Sequence, residues 1–311
     1  LRANVTVIDD PEVVEYITGL GYRLASQTGE TTIPFTFFVV KHGAINAFAA
    51  PGGYVGINSG LVIATQSESE LAAVLAHEIA HVTQRHLARS LELQSRSNMP
   101  ILAGLIAAIL IGTQSPQAGV GVAAAVQGGA IQALLDFTRA NEQEADRVGI
   151  QTLASAGLDP RAMPIFFQRL QEASRYSSSP PEFLSTHPVT ASRIAESEAR
   201  SEQYPYRQYE DSLSYHLVRA KLKVYDHDSP AEAAAYFLDL LDGGKALSTM
   251  GARYGYALAL LQQGRVQQAR EVVNSLIQRE PERISFYRLL AGIETASGNV
   301  DEALFVYEDN L

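Results

Sequence analysis

The segment Val74-Leu75-Ala76-His77-Glu78-Ile79-Ala80-His81 constrains this 311-residue chain more than any other. It is an H-E-x-x-H motif inside an apolar-periodic stretch that reads as one helix from about Glu68 to Leu93. Residues four apart share a helix face, so His77 and His81 can direct two imidazoles at one point. Zinc takes imidazole nitrogen at about 2.0–2.1 Å, and two ligands on one rigid element suit it. Glu78 follows the first histidine and can reach a water beside such a metal, where a carboxylate serves as general base. Val74, Leu75, Ile79 and Val82 surround the motif with apolar side chains, as a buried helix requires. A further ligand has to come from elsewhere in the chain.

The length allows two domains, each with its own core. A formal net charge of −10 argues against binding nucleic acid through its phosphates. No Lys/Arg run marks an anionic membrane surface. The sequence has no cysteine, so disulfides and thiolate ligands are excluded; the absence fits an oxidising compartment. No apolar run reaches the roughly 18 residues that span a bilayer. The chain starts at Leu1 rather than Met, the start expected of a processed product whose leader is out of view.

Asp9-Asp10-Pro11 opens a helix, with an aspartate cap and a proline in the first turn. Val13, Val14, Ile17, Leu20 and Leu24 then recur at helical spacing. Ile33 to Lys41 is β-branched and aromatic and predicts a strand; Ala44 to Ala49 predicts a second. After the turn Pro51-Gly52-Gly53, Tyr54 to Asn58 predicts a third. A small sheet ahead of the metal helix has a mechanical use, because an exposed edge strand holds an extended peptide through backbone hydrogen bonds. Gly53, Tyr54, Val55, Gly56, Ile57 and Asn58 are the candidate substrate strand, with glycines that allow close backbone approach. The plainer reading is a structural hairpin.

Residues 99–135 form two apolar, almost uncharged halves around a polar turn. They read as a buried helical hairpin, or as a mobile apolar lid or membrane-touching loop beside the site. Thr138 to Leu153 is helical again, ended by Gly157 and Asp159-Pro160. Glu142 and Asp146 share a face; one carboxylate can be the third metal ligand and the other can fix the tautomer of a ligand imidazole. Glu144 is turned about 200° from Glu142 and should face elsewhere. A serine- and proline-rich loop leads to Ser185-Thr186-His187-Pro188. His187 is the remaining histidine with a candidate site role: His42 ends a strand, His86 lies about 140° round a continuous helix from His81, and His216 and His227 fall in the C-terminal part. Arg193, just beyond, is an additional candidate.

Past residue 205 the composition turns to a helical array. Gly264, Ala269 and Pro281 stand at offsets of the ~34-residue tetratricopeptide unit. One period on, Gly298 and Ala303 repeat the small residues, and Tyr307 takes a large-residue position. An earlier unit runs through Ala231 to Tyr236. Small residues at fixed offsets let paired helices pack closely. The expected architecture is α+β, mostly α. Residues 1–205 form a metal-dependent domain with a small β-sheet, and residues 206–311 an α-solenoid of tetratricopeptide-like repeats expected to continue past Leu311 or to be covered at that end by another surface.

His77 to His86, Glu142 to Arg147 and Thr186-His187-Pro188 together resemble the zinc metallopeptidases of the HtpX and CAAX-processing type. Asn46-Ala47-Phe48-Ala49-x-Pro51-Gly52-Gly53 resembles their edge-strand segment. The resemblance implies a gluzincin-type metallopeptidase domain that holds one Zn2+ through His77, His81 and Glu142. It makes Glu78 the catalytic base and Asp146 a hydrogen-bond partner of a ligand. It puts His187 on a plug-like loop that can take the fourth zinc position, which describes a latent enzyme; released, His187 could help stabilise the oxyanion. With the repeats, it further implies a periplasmic endopeptidase for misassembled outer-membrane proteins, docked to the β-barrel assembly machinery through the repeats. The rival expectation is a chaperone-like adaptor whose zinc is structural or permanently capped.

Overall fold

Asp10 starts the first helix by accepting from the amides of Glu12 and Val13 at 3.1 and 3.2 Å, and Pro11 occupies the first turn, where its missing N–H costs nothing. Helix α1 (Pro11–Ala25) buries Val13, Ile17, Leu20 and Leu24. The computed structural model describes residues 6–96, 128–176 and 181–310. They fall into two units: Leu1–Ile8 with Ile17–Tyr209, and Asp9–Tyr16 with Glu210–Leu311. The grouping of Asp9–Tyr16 with the C-terminal unit was not anticipated.

In the first unit, β1 (Thr36–Val40), β2 (Ala47–Ala50) and β3 (Tyr54–Asn58) form a sheet in the order β1-β3-β2. β1 runs parallel to β3, with Thr36 opposite Tyr54. β2 runs antiparallel to β3, with Ala47 opposite Ile57. The expected substrate edge at Gly53–Asn58 is therefore corrected: β3 is the central strand, and both its edges are already hydrogen-bonded. The turn folds β3 back along β2, with Gly52 and Gly53 at φ +88° and +83°, while β1 fills the other side. At Gly53 a Cβ would stand 2.6 Å from the Pro34 carbonyl oxygen. The outer side of β1 is occupied by residues 6–8, through Ile8 N to Val39 O and Lys41 N to Thr6 O, both 2.8 Å. Among the described residues no strand pairs with the outer side of β2. Asn58 N donates to Asn46 O at 3.0 Å, so Asn46 and Asn58 are a hydrogen-bonded pair. By antiparallel alternation Ala47 and Ala49 turn their N–H and C=O groups outward.

A short α2 (Ser59–Ala64) leads into α3 (Glu68–Thr83). Ser67 caps α3 by accepting from Glu70 N at 3.2 Å. The Glu70 carboxylate in turn accepts from Gln66 N at 2.7 Å and pairs with Arg169. Every residue from Glu68 to Ala80 is buried, the condition of a helix that is apolar most of the way round. α3 is shorter than the helix expected to run to Leu93. Arg85 adopts φ +55°, and a new helix, α4 (His86–Arg96), starts behind it.

α5 (Gly128–Ser155) packs along α3. The close approach depends on Gly149, where a Cβ would lie 2.8 Å from Met163 Cε and 3.3 Å from His77 N. α6 (Ala162–Tyr176), the single turn α7 (Phe183–Thr186) and α8 (Ala191–Ser201) complete the unit. Of the apolar 99–135 segment, residues 99–127 lie outside the described residues, and the remainder opens α5.

The second unit contains α9 (Leu213–Asp226), α10 (Pro230–Asp242), α11 (Thr249–Gln262), α12 (Val266–Ile277), α13 (Ile284–Ala296) and α14 (Val300–Asn310). Ser212, Ser229 and Ser248 cap the first three of these helices. Gly264 and Gly298 take φ +74° and +81° in the turns before α12 and α14, and Ala269 and Ala303 are both buried behind them. The core gathers Leu217, Tyr254, Leu260, Val273 and Phe286. The segment 9–16 joins it through polar groups: Lys221 Nζ lies 3.1 Å from Asp10 Oδ1 and 2.6 Å from Glu12 Oε2, and Tyr254 Oη donates to Glu12 Oε2 at 2.8 Å.

Candidate metal centre

α3 presents His77 and His81 on one face, one turn apart, as their spacing requires. α5 brings Glu142 to them, and His187, at the C-terminal cap of α7, closes the group. Its amide donates to Phe183 O at 2.8 Å, which anchors the loop at the base of the histidine. These four residues offer ligand atoms that all lie within 4.8 Å of one another. His77 Nε2 is 3.0 Å from His81 Nε2, 3.4 Å from Glu142 Oε2 and 3.4 Å from His187 Nδ1. His81 Nε2 is 3.4 Å from Glu142 Oε1, and His187 Nδ1 is 3.1 Å from Glu142 Oε1.

These distances test whether a metal fits. Ligand atoms at the corners of a tetrahedron with bonds of about 2.0–2.1 Å stand about 3.3–3.4 Å apart. The five separations given above fall at or a few tenths below that value. Two imidazole nitrogens 3.0 Å apart also cannot both aim lone pairs at each other unless a proton or a cation lies between them. Three nitrogens and a carboxylate, with no sulfur, are a donor set that zinc accepts. The group fits a tetrahedrally held divalent ion.

The surrounding residues orient the ligands. His77 Nδ1 lies 3.0 Å from Asp146 Oδ1, which favours the tautomer with its proton on Nδ1 and leaves Nε2 bare toward the cluster. Burial lowers the pKa of His77, but the Asp146 and Glu142 carboxylates outweigh burial and raise it to about 9, so without a metal the ring is an imidazolium and a bound cation would displace the Nε2 proton. Burial and the neighbouring His77 hold His81 well below the usual histidine range, so its ring is neutral. Glu142 would be raised by burial, yet the facing imidazoles of His187 and His77 hold it well below the carboxylate range, ionised and ready to bind a cation. Glu78 is 1 % exposed. Its Oε1 has no hydrogen-bond partner among the described residues and faces His187 Nε2 at 3.4 Å. An unsatisfied buried carboxylate oxygen at this point is placed to accept a proton.

Arg193 has a larger part than the sequence indicated. It forks onto Asp146 with Nε to Oδ2 and Nη2 to Oδ1, both 2.8 Å. Its Nη1 reaches Glu142 Oε2 and Pro188 O, both at 2.9 Å. One guanidinium thereby ties the two carboxylates of α5 to the loop that carries His187. His86, set aside in the sequence reading, is corrected by the break at Arg85: its Nδ1 lies 2.9 Å from His81 Nδ1. Glu144 does face away from the four ligand atoms, as expected, but it meets His86 Nε2 at 3.1 Å. No local cue in the sequence marks the break, so the rotation argument for His86 started from a helix that does not continue.

An H-E-x-x-H helix joined by a carboxylate from a second helix is the frame of a metallopeptidase domain. The sequence model of peptidase family M48 matches residues 12–201, and the chain belongs to that family. It is 38 % identical over 304 residues to the beta-barrel assembly-enhancing protease of Escherichia coli K12, covering 98 % of this chain and 62 % of that protein. To the protein of the same name from Yersinia pestis it is 41 % identical over 295 residues, 94 % of this chain and 60 % of that one. It is also 33 % identical over 200 residues to the mitochondrial metalloendopeptidase OMA1 of Danio rerio, covering 62 % of this chain and 41 % of that protein. The chain thus spans 60–62 % of the two bacterial relatives. Among the described residues no helix is long and apolar enough to cross a membrane.

Proposed function

We propose that this chain is a zinc endopeptidase for misassembled outer-membrane β-barrel proteins, held latent by His187. The four-atom cluster of His77, His81, Glu142 and His187 beside the unsatisfied Glu78 carries the reading. His77, His81 and Glu142 would hold the ion, and His187 Nδ1 would be the fourth ligand. A zinc ion bound there would supply Lewis acidity toward a substrate carbonyl and a water. Glu78 removes the proton from the attacking water and delivers it to the leaving amine nitrogen, so the carboxylate is regenerated in each cycle. A His187 bound in this way would leave no place for water, and activity would then require its loop to withdraw. The grip of Arg193 on Pro188 O opposes that withdrawal.

The substrate strand adds to the free edge of β2, where Ala47 and Ala49 offer outward backbone groups. The 34-residue recurrence of Gly264 and Ala269 at Gly298 and Ala303 supports tetratricopeptide-like packing of the second unit, which would dock the assembly machinery in the periplasm. The names of the bacterial relatives support this substrate class. The four-sided donor set also favours a second reading, a chaperone-like adaptor in which the metal is permanently capped. Incubation of zinc-loaded protein with a destabilised β-barrel protein separates the two. We expect Glu78→Gln to keep one zinc per chain and lose cleavage, and His187→Ala to cleave faster than the parent. Cleavage by Glu78→Gln rejects the mechanism; a silent His187→Ala with zinc bound supports the adaptor.

A further inference from the structure

We propose that His86 and Glu144 form a positioning chain behind His81, fixing the orientation and tautomer of that imidazole as Asp146 fixes His77. The proposal rests on the zinc reading of the cluster above.

The chain exists because α3 breaks. Arg85 is the one non-glycine residue at positive φ among the described residues, in a conformation that L side chains rarely adopt. A continuous helix would rotate His86 about 140° away from His81. The break instead brings His86 Nδ1 to 2.9 Å from His81 Nδ1. The His86 side chain is 4 % exposed, and its other nitrogen, Nε2, lies 3.1 Å from Glu144 Oε2. Arg89 Nη1 holds the same carboxylate oxygen at 2.8 Å.

The protons on this path can be arranged in one way only. To bind a metal, His81 Nε2 must be bare, so its proton sits on Nδ1. That N–H faces His86 Nδ1, which must therefore accept. The His86 proton is then on Nε2, where it donates to Glu144. Each nitrogen has one role and one partner. The two ligand histidines are thus anchored differently: His77 directly by a buried carboxylate, and His81 through a second imidazole to a carboxylate that is 28 % exposed. His81 is itself the more exposed of the pair, at 14 % against 1 %. An imidazole at the rim of the site has fewer neighbours to hold its ring, and the chain supplies that restraint.

The test measures metal affinity rather than cleavage. The zinc-free protein, residues 1–311, is titrated with Zn2+ against a chromophoric chelator, and the visible spectrum of the Co2+ form is recorded alongside. We expect His86→Leu to bind zinc about 10–100-fold more weakly, the usual effect of losing a group that orients a metal ligand. We expect its Co2+ spectrum to shift. His86→Asn should recover most of the affinity, because its Oδ1 can accept from His81 Nδ1. The thermal unfolding of the zinc-free His86→Asn protein should match the parent. Parent-like affinity in both variants overturns the proposal, as does a loss in the Leu variant that Asn does not relieve. Should the Leu variant fail to fold, Glu144→Ala decides: a several-fold loss of affinity supports the chain, and no loss overturns it. A parent that binds no stoichiometric zinc rejects the underlying function instead, a result distinct from all of these.

Discussion

Replacing Arg193 with Met tests whether one cation holds the carboxylate face of α5 together. The guanidinium donates three hydrogen bonds to Asp146 and Pro188 O, pairs with Glu142 Oε2 at 2.9 Å, and lies over the Phe167 ring with 4.9 Å from Cζ to the ring centroid. The side chains of Arg193, Asp146 and Glu142 are 4 %, 5 % and 6 % exposed, so solvent screens little of the interaction. Met fills similar volume but leaves two buried carboxylates without their cation. Removing one partner of a buried pair costs about 3–5 kcal/mol. For a unit of this size each kcal/mol moves the midpoint by about 2–4 °C, so the zinc-free first unit should melt about 6–20 °C lower. Zinc would neutralise Glu142 in place of the arginine, so the metal-loaded variant should lose less. The sequence has no tryptophan, which makes scanning calorimetry with and without chelator the suitable assay, and the second unit's transition serves as internal reference. Arg193→Lys should fall between parent and Met, because an ammonium keeps the charge but cannot fork. The reasoning is refuted if the zinc-free Met variant loses less than about 1 kcal/mol, or if Lys and Met lose equally.

Gly149→Ala should destabilise the first unit by about 1–3 kcal/mol and lower zinc occupancy, because the new Cβ presses on Met163 and on the backbone of His77; calorimetry and metal analysis read the two effects. Ala49→Pro removes an N–H that faces away from β3, so we expect an intact fold by circular dichroism together with weaker cleavage of extended peptides; unchanged cleavage would show that substrate does not add to β2. In the second unit, burial raises the Asp10 pKa but Lys221 and the hydrogen bonds outweigh it, so the folded value lies below 3.8. A lowered folded pKa contributes stability that is present in full above pH 3.8 and is lost as pH falls through the folded value. An acid melt should show that loss in the parent and not in Asp10→Asn.

Much of the site could be read from short-range pattern. The spacing of His77 and His81 placed two imidazoles on one face of a helix because backbone periodicity alone decides that. The same geometry put Glu142 and Asp146 together and turned Glu144 away from them. Caps such as Asp10 depend on nothing more than the next turn of chain. Residue geometry left two alternatives for the third ligand, since two carboxylates on one face are equivalent until a neighbour distinguishes them. Arg193 and the Nδ1 of His77 are those neighbours, and both are distant in sequence.

Alternation and turn residues located three strands, yet strand order depends on which segments meet in space, and β3 proved central because β1 returns to pair beside it. The reading of His86 failed for a related reason: one residue in the left-handed region redirected the chain, and the compensating contacts to His81 and Glu144 come from packing rather than from adjacent residues. The amino-acid sequence by itself determined the helical ligand pair, the base beside it, the caps and the mostly helical character of both units. Tertiary structure alone decided the sheet order, the break at Arg85 and the contacts by which Arg193 ties two carboxylates to the loop of His187. Local geometry follows from a repeat of 3.6 residues per turn. Contacts between residues 45 to 110 positions apart, such as His187 with Glu142 and with His77, follow only from how the buried faces of separate helices fit together.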